Sequence, residues 1–285
     1  YEQWGVDLLQ RVRGMFTFVI WDKNKQELFG ARDHFGIKPF YYAKMNGTFM
    51  YASEIKSLLR HPDFVKELNA EALKPYMTFQ YPAIGETFFK GVYKLPEGHY
   101  FTYRDGKMDI HRYYDEDFRE GKQKLGELVN SIDQTVCDSV KAHQIADVEV
   151  GSFLSSGVDS SYVAAVARPQ HTYSIGFGKG TYNESQQAGE LAELLKLNNT
   201  AESLTDEEAF AAFPRIQWHL DEPDSNPSCV PLYFLSALAA KDVKVVLSGE
   251  GADELFAGYI DYGVHTKFRP IKVVTRWLTH LPAGA

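Results

Sequence analysis

Cysteine is nearly absent: Cys137 and Cys229 are the only two in 285 residues, and they form no C-x-x-C pair. They read as free thiols in a reducing compartment, with cytoplasm the default. No secretory leader is evident, and no apolar run approaches the roughly 20 residues that span a bilayer. Residues 243–247, among the most apolar, are already broken by Lys244. The chain reads as soluble. Net positive charge is also lacking. A formal charge of −8 and a pI near 5.6 argue against a broad basic field for nucleic acid or an anionic membrane, leaving only a local basic pocket open. There is no G-x-x-x-x-G-K-[ST] cradle, and none of the nine histidines stands in an H-E-x-x-H spacing. Internal repeats and low-complexity tracts are missing too. What remains, 44% hydrophobic and 24% charged residues, excludes disorder and collagen and suffices for one large domain or two ordinary ones.

The two halves differ in grammar. Up to about residue 114 the chain is rich in aromatics in short alternating runs, at 15–21, 27–31, 39–43, 48–52 and 99–103, each expected to be a strand. Turn residues separate them, as in Asp22-Lys23-Asn24, Met45-Asn46-Gly47 and Arg104-Asp105-Gly106. Helices are expected at 53–60 and 70–78. A charged stretch, 115–122, precedes a helical pattern with Leu125, Leu128, Val129, Ile132 and Val136 on one face. This stretch marks the domain boundary, giving domains 1–118 and 119–285. Beyond it, strands at 148–154, 172–177 and 243–247 alternate with helices, including one long helical stretch reaching Leu220 and another at 230–240. That alternation predicts a doubly wound, mostly parallel sheet after a β-rich layered domain, α/β joined to α+β. Both ends are expected to be cut. Trp4, Leu8 and Val12 already stand at helical spacing, and Val273, Val274, Trp277 and Leu278 run out without a closing element.

Two loops carry the chemistry. Strand 148–154 runs into Ser155-Ser156-Gly157-Val158-Asp159-Ser160-Ser161, followed by a helix expected from Tyr162. Free amides at a helix N-terminus and three serine hydroxyls make an anion cradle. Asp159 would repel a bare phosphate unless a hard cation such as Mg2+ bridged the two. The same residues also serve as ordinary helix caps, each worth about 1 kcal/mol. Strand 243–247 opens into Ser248-Gly249-Glu250-Gly251-Ala252-Asp253-Glu254. In an open parallel sheet both loops leave at the strands' carboxyl edge, where ligands bind. Glycines permit close backbone approach, and three nearby acids repel one another unless something positive sits among them. A helix dipole accounts for Asp253 and Glu254 but leaves Glu250 unexplained.

Together these loops resemble the ATP-pyrophosphatase domain of glutamine-hydrolysing asparagine synthetases, whose loops read S-G-G-[LV]-D-S-S and S-G-E-G-[AS]-D-E. The one departure is Ser156 in place of a glycine. The first half is similar to the later part of that family's N-terminal-nucleophile glutaminase domain, at Gly14-Met15-Phe16-Thr17-Phe18, in the run from Arg32 to Tyr41, at Ala52-Ser53-Glu54 and at Leu95-Pro96-Glu97-Gly98-His99. The family nucleophile, an initiating cysteine, would precede Tyr1, and neither Cys137 nor Cys229 replaces it. Arg32, Asp33 and Gly36 are expected to be scaffold.

The resemblance implies ATP-dependent amidotransfer from glutamine-derived ammonia to aspartate through β-aspartyl-AMP. It implies that Asp159 and Asp253 hold Mg2+ and that Ser155, Gly157, Ser160 and Ser161 donate to pyrophosphate. Leu154, Ile175, Ser248 and Gly249 would contact ATP, and Glu250 would position ammonia or take its proton. Asp221-Glu222-Pro223 matches a pattern that lies near the family's site, and Ser228 reads equally as a helix cap. The partners implied are small molecules, aspartate, ATP and glutamine or ammonia, with no nucleic acid, no membrane and a homodimer left open. The alternatives are a relative that closes an internal amide, β-lactam synthetase-like, and a chain that binds ATP without catalysis.

Overall fold

Alternating aromatic and small apolar side chains dictate the strands of the first of two compact units, residues 1–122 with 212–229. In the computed structural model, residues 1–117, 119, 121–177, 184–260 and 262 are described; Phe118 at the expected boundary and the apolar stretch from Val273 to Leu278 lie outside them.

After a 3-10 turn, Gly5–Gln10, come β1 Thr17–Asp22, β2 Glu27–Arg32, β3 Tyr41–Met45, β4 Thr48–Ala52 and α1 Ile55–Leu58. A second 3-10 turn, Ala70–Ala72, leads into α2 Leu73–Phe79, then β5 Val92–Lys94, β6 His99–Arg104 and β7 Lys107–Arg112. The strands form two antiparallel sheets, ordered β1-β2-β6-β7 and β4-β3-β5. Leu9, Phe29 and Ala31 fill one part of the core, Phe40, Leu95 and Phe101 a second, and Ala43, Met50, Ile55 and Val92 a third. Two of the expected turns have the left-handed pair that tight hairpins need, Asn46 with Gly47 at φ 50° and 82°, and Asp105 with Gly106 at 50° and 75°. Arg32, Asp33 and Gly36 hold the turn after β2, the scaffold place expected of them. The Arg32 guanidinium donates to the carbonyls of Gly36, Lys38 and Leu95, and the Asp33 carboxylate accepts the amides of Phe35, Ile37 and Lys38.

Three expectations change here. The spacing at Trp4, Leu8 and Val12 yields a six-residue 3-10 turn. The helix expected over 53–60 keeps only the four residues of α1. Strands β5 and β7 were not expected, β5 because it is three residues long and β7 because only Met108 and Ile110 are apolar in a strand that stays largely exposed; the hairpin at Asp105-Gly106 pairs it with β6.

The second unit, 123–211 with 230–285, supplies the expected parallel sheet. Its elements are α3 Leu125–His143, β8 Val150–Phe153, α4 Val158–Ala167, β9 His171–Phe177, α5 Glu184–Leu195, β10 Asn198–Leu204, α6 Asp206–Leu220, α7 Cys229–Ala239, β11 Val245–Leu247 and α8 Ala252–Phe256. The second half of α6, which contains Pro214, clusters with the first unit. The sheet order is β10-β9-β8-β11, every pair parallel. Strand β10 corrects the long helical stretch expected before Leu220. Asn-Asn-Thr-Ala-Glu-Ser-Leu is a polar edge strand, mostly exposed, and its weak apolar pattern hides it. Among the described residues no helix is long and apolar enough to cross a membrane.

Candidate active site

Strands β8 and β11 are parallel neighbours, with Val245 opposite Val150 and Leu247 opposite Ser152. The chain leaves β8 toward β9 on one side while β11 lies on the other, so the strand order reverses between β8 and β11. That is where open α/β sheets bind ligands, and both motif loops leave from it.

The first loop starts from a fixed point. The Leu154 amide donates to the Tyr173 carbonyl at 2.9 Å, and its own carbonyl accepts the Ser174 hydroxyl at 2.7 Å. The Leu154 side chain is buried with Ala164, Ala188 and Ala192. Helix α4 begins at Val158, four residues earlier than expected, so Asp159, Ser160 and Ser161 occupy its first turn. Gly157 is the N-cap, with φ −70° and no side-chain cap. The serine hydroxyls knit the loop together. Ser155 and Ser160 share a 2.7 Å hydrogen bond, Ser155 Oγ accepts the Gly157 amide at 3.1 Å, and Ser161 donates to the Gly157 carbonyl at 2.5 Å. The first helical bond runs from Ser161 back to Gly157. The amides of Val158 and Asp159 find no acceptor among the described residues, which leaves the positive end of α4 open to an anion. Ser156 is not among the residues at positive φ, so a side chain there replaces glycine without backbone strain.

In the second loop Ser248 and Glu250 are exposed, and the Glu250 amide donates to Ser248 Oγ at 3.4 Å. Gly251 takes the left-handed conformation, φ 91°, to begin α8. The Glu254 carboxylate accepts the Tyr259 hydroxyl at 2.7 Å. That hydrogen bond, then burial, then the negative charge of Glu254, Asp253 and Glu250, pushes Tyr259 up to about 12.

Gly249 joins the two loops. A Cβ on it would lie 2.7 Å from the Ser160 amide nitrogen and 2.8 Å from Asp159 Cβ. Only a glycine lets the second loop sit this closely on the first turn of α4. Asp159 and Asp253 are half-buried and form no ion pair among the described residues. No group of three or more candidate metal ligands occurs among those residues. Two hard carboxylates suit Mg2+ in a phosphate site, because that ion takes its remaining ligands from phosphate oxygens and water. Ile175 sits half-buried near the end of β9. The histidines bring no metal spacing, and Cys137 lies on α3 with its sulfur 3.9 Å from the Tyr162 hydroxyl.

Asp221 and Glu222 do something else. Within the first unit, Asp221 accepts the Ile55 amide at 2.7 Å and pairs with Lys56 Nζ at 2.9 Å, while Glu222 accepts the Phe88 amide at 3.1 Å and pairs with Lys94 at 2.5 Å. The sequence gives no sign of these anchors, since their partners lie more than 120 residues away. Ser228 donates its amide to the Asn226 side chain at 3.0 Å at the start of α7.

Comparison with known proteins agrees with both halves. Residues 131–279 match the family described as asparagine synthase, and residues 1–114 match a glutamine amidotransferase domain. The chain is 40% identical over 277 residues to asparagine synthetase (glutamine-hydrolyzing) 1 of Bacillus subtilis (strain 168), covering 95% of this chain and 44% of that protein. A putative asparagine synthetase (glutamine-hydrolyzing) of Mycobacterium bovis is 40% identical over 287 residues, covering 95% of this chain and 43% of its own length. The chain thus spans less than half the length of these curated relatives. Among solved structures, an NMN synthetase from Francisella tularensis aligns with a TM-score of 0.33 and 22% identity over 49% of this chain and 60% of that one, a likeness that carries no argument.

Proposed function

The chain belongs to the asparagine synthase family, and from that premise we propose that its protein makes asparagine from aspartate, ATP and ammonia released from glutamine. In this reading residues 1–118 belong to the glutaminase domain and residues 119–285 to the synthetase domain. An aspartate β-carboxylate oxygen attacks the α-phosphate of ATP, giving β-aspartyl-AMP and pyrophosphate. Ammonia then attacks the acyl carbon, AMP leaves with the acyl C–O electron pair, and one proton is lost from nitrogen.

Each residue's role follows from its charge and place. The open amides at the start of α4, with Ser155, Gly157, Ser160 and Ser161 around them, receive the pyrophosphate. Leu154, Ile175, Ser248 and Gly249 border the nucleotide. Asp159 and Asp253 hold Mg2+, which when bound neutralises charge on the phosphate oxygens. Glu250, an exposed carboxylate on a glycine turn, orients ammonia or accepts its proton.

The observation that carries this reading is the approach of Gly249 to Asp159 and Ser160, which puts both acidic motif loops on one ligand edge. Formation of AMP and pyrophosphate from ATP, aspartate and ammonia is the test. Glu250→Gln is expected to lower turnover about 100-fold, as removal of a positioned acid-base group does; a near-wild-type rate would remove Glu250 from the mechanism.

A further inference from the structure

Helix α8 ends in a turn that sorts its two neighbouring acids. Ala257 adopts the left-handed conformation, φ 56° and ψ 45°, which closes the helix and bends the chain back on itself. The Gly258 amide then donates to the Asp253 carbonyl at 2.9 Å. This fold-back lays the Gly258 Cα directly over the Asp253 side chain. A Cβ built on Gly258 would fall on Asp253 Oδ1 and lie 2.9 Å from its Cγ. One residue further on, the Tyr259 hydroxyl holds Glu254 Oε1 at 2.7 Å. Of two adjacent carboxylates, Glu254 is therefore tied to a phenol, while Asp253 has no ion pair among the described residues and keeps its place because residue 258 has no side chain.

We propose that Gly258 and Tyr259 are positioning residues for the cation site: Gly258 leaves the space that Asp253 needs to face a divalent cation, and Tyr259 withholds Glu254 from that cation. The inference deepens the reading of Asp253 as a Mg2+ ligand and rests on it. The geometry explains why the turn closes with a non-glycine residue in the left-handed conformation and a glycine immediately after it. At position 257 a methyl group costs only backbone strain, whereas at 258 it would evict the carboxylate.

The experiment is calorimetric titration of the full chain with ATP at stepped Mg2+ concentrations, for wild type, Asp253→Asn, Gly258→Ala, the double variant and Tyr259→Phe. Gly258→Ala is expected to raise the Mg2+ concentration for half-maximal ATP binding about 10-fold, the usual size for loss of an outer-shell support. In the Asp253→Asn background the same change should add less than about 2-fold, because the group it displaces no longer binds. Tyr259→Phe should shift the titration the other way by about 2- to 3-fold, since Glu254, no longer held by the phenol, can turn the charge it already carries toward the cation. If Asp253→Asn itself leaves the Mg2+ dependence unchanged, the metal reading of Asp253 fails and the positioning role goes with it. If Asp253→Asn shifts the titration while Gly258→Ala does not, or if the two shifts simply add, the metal reading stands and the positioning role is overturned. Should Gly258→Ala fold poorly, the Ala257→Gly/Gly258→Ala pair carries the same test, because glycine at 257 relieves the left-handed strain without touching Asp253.

Discussion

Asp221 and Glu222 are 6% and 8% exposed at the side chain, and backbone amides and lysines meet both carboxylates. Glu250 and Asp253 come from an equally acidic turn, yet one is exposed, the other half-buried, and neither has an ion pair among the described residues. Helix α1 shows what the first pair does. Its own N-cap, Glu54, makes no side-chain cap, and the amides of Ile55 and Lys56 donate instead to Asp221 from far along the chain. These acids have already been given their counter-charges by the fold. The other pair has not, and a carboxylate without a partner is the one ready to take a ligand.

The largest expected effect breaks the first pair. Asp221→Ala uncaps α1 and leaves Lys56, 14% exposed at the side chain, without its closest carboxylate, so the first unit should lose about 3 kcal/mol. Three of the four tryptophans, Trp4, Trp21 and Trp218, belong to that unit, and denaturant unfolding followed by tryptophan fluorescence reads its stability. Glu250→Gln should change stability by no more than about 0.5 kcal/mol. Equal losses in the two variants would erase the distinction between satisfied and ligand-ready acids.

A smaller effect tests how the two loops meet. Gly249→Ala forces a methyl group to 2.7 Å from Ser160 N, and parting the loops should weaken ATP binding about 10-fold, the equivalent of a modest overpacking cost. Gly157 is different. Its φ is −70°, and a Cβ would meet only Ser155 Oγ at 3.2 Å. Gly157→Ala and Ser156→Gly should both stay within about 3-fold of wild-type affinity, since neither substitution meets a positive φ. Calorimetric titration with ATP separates them, and a Gly157→Ala loss matching that of Gly249→Ala would shift the critical contact from the junction to the cap.

Those glycines also mark how far the sequence could be read. The loops were legible because serine, glycine and aspartate between an apolar strand and a helix leave few conformations, and the parallel sheet followed from the alternation of Val150, Tyr173 and Val246 with helices. Strand β10 was not legible, because an edge strand needs no apolar face. The roles of Gly249, Gly258 and Asp221 were hidden for another reason. Each depends on which atom the fold brings opposite, Ser160 N, Asp253 Oδ1 or the Ile55 amide, and no local pattern encodes that.

The smallest effect uses two tyrosines, one beside each acidic turn. Tyr41 is pushed up to about 12 chiefly by burial, then by the charges of Glu222 and Asp221 and against the pull of Arg32. Tyr259 also reaches about 12, but its leading cause is the hydrogen bond to Glu254. For both, the phenolate is the disfavoured form, so the folded state binds more protons than the unfolded state between pH 10 and about 12. The stability tied to each shift is complete below pH 10 and is lost as pH rises through 12. Tyr41→Phe should therefore flatten part of the alkaline fall in stability of the first unit. The origins separate under salt. At about 1 M ionic strength the Debye length falls to roughly 3 Å, which screens exposed charges far more than buried ones. In ultraviolet difference titrations, comparing wild type with each Tyr→Phe variant, the Tyr259 midpoint should fall by the part that the charges of Glu254, Asp253 and Glu250 supply, while that of Tyr41, led by burial, falls less, because burial does not respond to counter-ions. Equal salt shifts would mean that the acids around Tyr41 are as open to solvent as those around Tyr259, and the contrast between the two turns would fall.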